Sequence, residues 1–140
     1  MLSIITVVLN DKVGLEQTLN SLINEDKKKY EHIIIDGGSI DGTFEYIKST
    51  NERIDLYISE PDKGIYDAMN KGVMLASGDV ISFLNAGDLA LNGYVSFAGK
   101  CQFDIDFIYS GIKISGKRMT SFIPKKFTHN TEFLQAMPFP

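Results

Sequence analysis

Ser3 to Leu9 reads SIITVVL, a near-continuous run dominated by β-branched residues. A strand with one wet face would alternate apolar and polar residues, so this run suits a strand buried on both faces, the condition found at the centre of a parallel sheet. Behind it stand Asn10 and Asp11, either of which can cap a helix, and then Leu15, Leu19, Leu22 and Ile23 at helical spacing. The unit recurs: His32 to Ile35 leads to Phe44 and Ile47, and Ile54 to Ser59 leads to Ile65, Met69, Val73 and Ala76. A further strand is predicted at Val80 to Leu84. Parallel neighbours need a crossover, so strands alternating with helices imply an α/β fold with a mostly parallel sheet flanked by helices. From Asp106 the texture changes. Phe107 to Ser110, Ile112 to Ser115 and Met119 to Ile123, broken by Ser110-Gly111 and Gly116-Lys117, predict an antiparallel hairpin near the C-terminus.

The chain has 140 residues, 44% of them apolar and 23% charged, enough to bury one core, and a single domain is expected. A formal net charge of -4 argues against nucleic acid as a partner, because neutralising phosphates needs a basic face. Cys101 is the sole cysteine and has no neighbours at zinc-ligand spacing, which fits a reducing, cytoplasmic setting and a role as apolar filler. No run approaches the roughly 20 apolar residues of a membrane span, and no basic-then-apolar leader is present, so a soluble protein is expected. His32 and His129 lack partners at catalytic spacing and receive no role. Lys27-Lys28-Lys29 reads as a solvated helix end.

The unusual polar residues follow strand ends. They are Asn10-Asp11, then Asp36-Gly37-Gly38-Ser39-Ile40-Asp41-Gly42-Thr43, then Glu60-Pro61-Asp62-Lys63-Gly64, then Asn85-Ala86-Gly87-Asp88. In a parallel sheet all these ends lie along one edge, where open α/β sheets bind ligands. Each loop also has a plainer reading: DGGSIDGT as a glycine-rich turn with Asp41 capping the next helix, and NAGD as a turn into a helix.

Taken in order, ITVVLN, IIIDGGSIDGT, SEPDKGIYDAMNKG and ISFLNAGD, spanning Ile5 to Asp88, resemble the bacterial family 2 glycosyltransferases of the GT-A fold, especially those of exopolysaccharide, colanic-acid and O-antigen assembly. The resemblance implies a nucleotide-sugar donor bound by Val8, Asn10, Asp36, Gly38, Ser39, Asp62, Lys63, Tyr66, Asp67, Asn70, Asn85 and Ala86, with Asp36 at the base or ribose and Asp62 to Asn70 beside the diphosphate. It further implies that Asp88, the last acid of the family's D-x-D-D pattern, is the ligand of Mn2+ or Mg2+. The chain departs from the pattern at Val7-Val8-Leu9-Asn10, where Pro-x-Tyr-Asn is usual, at Gly37, where a second acid is usual, and at Asn85 and Gly87, where the other metal-loop acids are usual. Uridine is the nucleotide this resemblance favours first, and an inverting, metal-assisted transfer to a saccharide or lipid-linked acceptor is the chemistry it implies. A single carboxylate can hold such an ion, because Mg2+-like ions keep water and take further oxygens from phosphates.

The family's base is a carboxylate well downstream of the metal loop, so no catalytic residue is assigned. Residues 1–104 are expected to form the donor-binding α/β part and 105–140 the start of the acceptor-side part of a truncated domain, which binds donor without transferring sugar and dimerises or is only marginally stable. Were transfer observed, Asp62, Asp67 and Asp104 would be the carboxylates to test as base. Between Gly111 and Lys126, Lys113, Lys117, Arg118, Lys125 and Lys126 occur without an acid, either as a solvated hairpin or as a peripheral contact with a phosphate-bearing lipid or the inner face of an anionic membrane.

Dehydrogenases and P-loop enzymes are disfavoured, since no G-x-G-x-x-G follows the first strand and no G-x-x-x-x-G-K-S/T exists. A nucleotidyltransferase would carry a glycine- and arginine-rich loop where Asn10-Asp11-Lys12-Val13-Gly14 stands. The alternative from another class is a non-catalytic nucleotide-binding or receiver-like module. A receiver should have an acidic pair after the first strand, where only Asp11 is present.

Overall fold

The computed structural model describes residues 1–98. The hairpin predicted between Phe107 and Ile123 lies outside the described residues, as do Cys101, Asp104, His129 and the basic stretch from Gly111 to Lys126. Within them the chain runs β1 (Leu2–Val8), α1 (Lys12–Ser21), β2 (Tyr30–Asp36), α2 (Thr43–Ser49), β3 (Leu56–Ser59), α3 (Ile65–Leu75), β4 (Val80–Phe83) and α4 (Tyr94–Ala98).

The strands form one sheet in the order β3-β2-β1-β4, every pairing parallel. All seven residues of β1 are buried, as its β-branched run requires at an interior position with helices on both faces. Successive side chains point to opposite faces. Ile5, Val7, Ile33 and Ile35 therefore meet Ala68, Met69 and Leu75 of α3 on one side, while Val8 and Ile34 meet Leu15, Leu19 and Ile47 of α1 and α2 on the other. Gly72 lets α3 lie close on the sheet, since a Cβ there would stand 2.4 Å from Ile5 Cγ2.

Several boundaries differ from the sequence expectation for physical reasons. Of the two candidate caps of α1, Asp11 serves, its Oδ1 accepting from Gly14 N at 2.9 Å. Strand β3 begins at Leu56 rather than Ile54: Asn51–Arg53 form a 3-10 turn and Ile54 drops into the cluster beneath α1 and α2. Lys27–Lys29 do not end α1, which stops at Ser21. They form a separate 3-10 turn capped by Asp26, with Lys27 ion-paired to Asp55 and 4.8 Å above the Tyr30 ring.

His32 is fully buried on β2. Thr6 Oγ1 lies 2.7 Å from Leu84 O and 2.8 Å from His32 Nε2. A carbonyl can only accept, so the single Thr6 proton goes to Leu84, and the His32 contact requires Nε2–H to donate. Nδ1 is then a bare acceptor, and it has no hydrogen-bond partner among the described residues. Burial, with Lys27 adding to it, lowers the His32 pKa from 6.5 to about 4. Between those values the unfolded chain binds a proton that the folded chain refuses, so stability is fully present above pH 6.5 and declines as pH falls toward 4. Denaturant titrations across this window should lose roughly 3 kcal/mol. His32→Gln should flatten that slope, and an equal slope in the variant would contradict the assignment.

Candidate functional site

The ends of β1, β2 and β3 are flush, Val8 standing opposite Asp36 and Asp36 opposite Ser59. Strand β4 stops three rungs short, at Phe83 opposite Ile5, but its following loop continues along β1 through Leu84 N to Ile5 O (3.0 Å) and Ala86 N to Val7 O (3.2 Å). The loops after all four strands thus gather at one edge, as the sequence predicts.

Specific bonds tie them together. Asn10, held at a φ of 51°, donates its N–H to Ser39 Oγ at 2.7 Å and accepts from Ile40 N at 2.8 Å through Oδ1. Lys12 N donates to Asp41 Oδ2 at 3.2 Å, so these three bonds join the first loop and the start of α1 to the second loop. Asp41 also accepts from Thr43 N at 3.0 Å, capping α2 from one residue before Gly42. The Thr43 hydroxyl above all, with the N–H groups of Lys12 and Thr43, holds the Asp41 carboxyl below its usual range. Asp36 is fully buried, and its oxygens accept from the Ser39 hydroxyl and N–H and from Ser59 Oγ at 2.5 Å, which binds the second loop to the third strand.

The third loop is pinned from α3. Lys71 Nζ reaches Glu60 Oε1 at 2.8 Å, Pro61 O at 3.4 Å and Asp67 Oδ2 at 3.6 Å, and Lys63 N donates to Asp67 Oδ2 at 3.1 Å. The Lys63 N–H first, and then the Lys71 charge, hold Asp67 below the usual carboxylate range. Tyr66 and Asn70 are exposed on α3, and Lys63 is exposed on the loop before it; none of their side chains takes part in the hydrogen bonds that join the loops among the described residues.

The loop after β4 hangs from α1. The buried Thr18 hydroxyl has Asp88 O at 2.8 Å, Asn85 O at 3.1 Å and Gly14 O at 3.1 Å within reach of its one proton, and it accepts from Gly87 N at 3.0 Å. Asp88 is exposed, one oxygen accepting from Asn85 N at 3.2 Å. Asn85 Oδ1 is buried without a hydrogen-bond partner among the described residues. Among the described residues no three His, Cys, Asp or Glu side chains gather to hold a metal ion. The loop therefore offers an exposed carboxylate and an unsatisfied amide oxygen, a partial set that suits a hard cation completing its shell with phosphate oxygens and water. Thr18, Ser59 and Lys71 escaped the sequence reading as site residues. A threonine inside a helix carries no motif, and its role emerges only from a contact 70 residues along the chain.

This architecture is that of the GT-A nucleotide-diphospho-sugar transferases. TarS of S. aureus, in a crystal structure with UDP-GlcNAc, matches with a TM-score of 0.63 at 20% identity over 70% of this chain and 30% of that one. A mannosyltransferase of Pyrobaculum calidifontis in complex with GDP-Man and Mn2+ matches with a TM-score of 0.57 at 20% identity over 69% and 30%. At that identity the likeness concerns the fold. The model of the family described as Glycosyl transferase family 2 matches residues 3–95, and the chain belongs to that family. An uncharacterized glycosyltransferase of Mycobacterium tuberculosis is 42% identical over 87 residues, 61% of this chain and 33% of that protein. A PGL/p-HBAD biosynthesis glycosyltransferase of Mycobacterium bovis is 37% identical over 92 residues, 63% and 36% respectively. The chain spans about a third of the length of these curated relatives.

Replacing Thr18 by Val keeps the shape and removes the hydroxyl. Amide hydrogen exchange at Gly87 should accelerate about fivefold, the worth of one such bond at about 1 kcal/mol, and Thr18→Ser should restore protection. Unchanged exchange in Thr18→Val would mean that α1 does not hold the loop.

Proposed function

We propose that this chain is the donor-binding part of an inverting glycosyltransferase that moves a sugar from a nucleoside diphosphate, UDP first, to a saccharide or lipid-linked acceptor in polysaccharide assembly at the cytoplasmic face of the membrane. Residues 1–104 hold the donor, and 105–140 begin the acceptor side. The observation that carries this reading is the convergence, on the edge of a family 2 domain, of the Asp36 loop with the exposed Asp88 carboxylate.

Transfer breaks the bond from the sugar's anomeric carbon to the diphosphate, whose oxygen leaves with the electron pair. The acceptor oxygen bonds to the opposite face and loses its proton to a base. A divalent ion, Mn2+ or Mg2+, supplies positive charge against the departing diphosphate, where electrostatic stabilisation is usually the largest contribution. Asp88 and the unsatisfied Asn85 Oδ1 are the oxygens that would hold it. Asn10, Ser39, Asp36 and Ser59 fix the first three loops in advance, so ordering them costs little when donor binds. Asp67 is a poor candidate for the base, because Lys63 N–H and Lys71 stabilise its ionised form.

Calorimetry with UDP should give affinity at least about tenfold tighter in Mn2+ than in EDTA, and Asp88→Ala should remove that increment. Equal affinity in both buffers would refute the metal role, and an unchanged increment in Asp88→Ala would refute the residue.

A further inference from the structure

Gly37 stands where the family's second loop carries another acid, and its own backbone does not explain the glycine. Gly38, Gly42, Gly64, Gly87 and Gly93 have positive φ, but Gly37 does not. The explanation lies on the third loop. A Cβ at Gly37 would stand 2.6 Å from Asp62 Oδ2 and 3.4 Å from Leu9 Cδ1, so the space that a side chain at 37 would fill already holds the Asp62 carboxylate. Both partners are fixed. Gly37 N donates to Val8 O at 2.9 Å, and Asp62 Oδ1 accepts from Gly64 N at 2.8 Å, which leaves Oδ2 directed at Gly37. Beside them a Cβ at Gly38 would lie 3.3 Å from Pro61 N, a measure of how closely the two loops are pressed together.

Asp36 has no accessible surface and its oxygens are taken up by Ser39 and Ser59. Asp62 is only half-buried and, among the described residues, has Oδ2 uncommitted, next to Leu9, which is 56% exposed. An apolar surface flanked by one open carboxylate oxygen suits a nucleoside, whose ring covers the leucine while a hydrogen-bond donor meets the oxygen.

We infer that Asp62 is the specificity-determining acid of the donor site: its carboxylate crosses from the third loop into the space vacated at Gly37 and accepts a hydrogen bond from the nucleoside. This rests on the donor reading above and moves Asp62 from the diphosphate to the nucleoside. The donor group is a base N–H or a ribose hydroxyl, which share that chemistry.

The test is calorimetry on the 140-residue chain with UDP, CDP and 2′-deoxy-UDP, in Mn2+, with thermal melts confirming that each variant folds. Asp62→Ala should weaken UDP by about tenfold or more. Gly37→Asp should weaken it as well, because two carboxylates cannot share the space. The double variant Gly37→Asp with Asp62→Ala should bind UDP within a few-fold of the parent, the acid having been returned to the second loop. If the Asp62→Ala loss vanishes with CDP, the base N–H is the donor; if it vanishes with 2′-deoxy-UDP, the ribose hydroxyl is. Asp62→Ala binding UDP like the parent, or a double variant no better than Asp62→Ala, would overturn the inference alone. A parent chain that binds no UDP would overturn the donor reading, and this inference with it.

Discussion

The carbonyls at the end of β1 hold the site together. Ile5 and Val7 accept from the stretch leading into the Asp88 loop, and Val8 accepts from Gly37 in the Asp36 loop, so one strand tethers both loops on either side of it. Those carbonyls can be rigid because the strand is buried on both faces, with Ile4 and Ile5 wholly inaccessible. Each such side chain contributes on the order of 1.5–3 kcal/mol by leaving water. The burial comes first, and the loop geometry follows from it.

A second layer of order comes from acids used as internal acceptors. Asp11 caps α1, Asp41 joins the first loop to the second, Asp36 joins the second loop to Ser59, and Asp67 ties the third loop to α3. An edge rich in aspartates is therefore less available to a ligand than its composition suggests. Among the described residues, Asp62 and Asp88 on the third and fourth loops each keep an oxygen clear of these bonds, as does the exposed Asp11 on the first. The Thr43 hydroxyl at Asp41 and the Lys63 N–H at Asp67 hold those two carboxyls below their usual range, and the order set in advance leaves the open oxygens in place without rearrangement.

The parallel pairing and the shared edge were legible because both rest on periodicity: SIITVVL suits a strand covered by two layers, and strand-helix alternation leaves few topologies. The start of β3 was not legible, since Ile54 is as apolar as a strand residue but spends that character in the helix-side core. Lys27–Lys29 misled for a similar reason, because a charge run says nothing of where the preceding helix stops. Within the site, motif spacing located the loops, but the division between structural and open acids depends on which serine or backbone N–H lies across the sheet edge. Thr18 shows the limit most clearly: its partners are Asn85, Gly87 and Asp88, which only folding brings to it.

Paramagnetic broadening in an amide NMR spectrum tests most directly whether these loops form one donor site. With UDP present and Mn2+ added in small amounts, the signals of Asn85 to Asp88 should broaden first, followed by Gly37 to Ile40 and Asp62 to Gly64, with those near Glu25 and Glu52 at the far edge unaffected. Broadening centred on Glu25 and Glu52, or spread evenly over the acidic surface, would contradict the account.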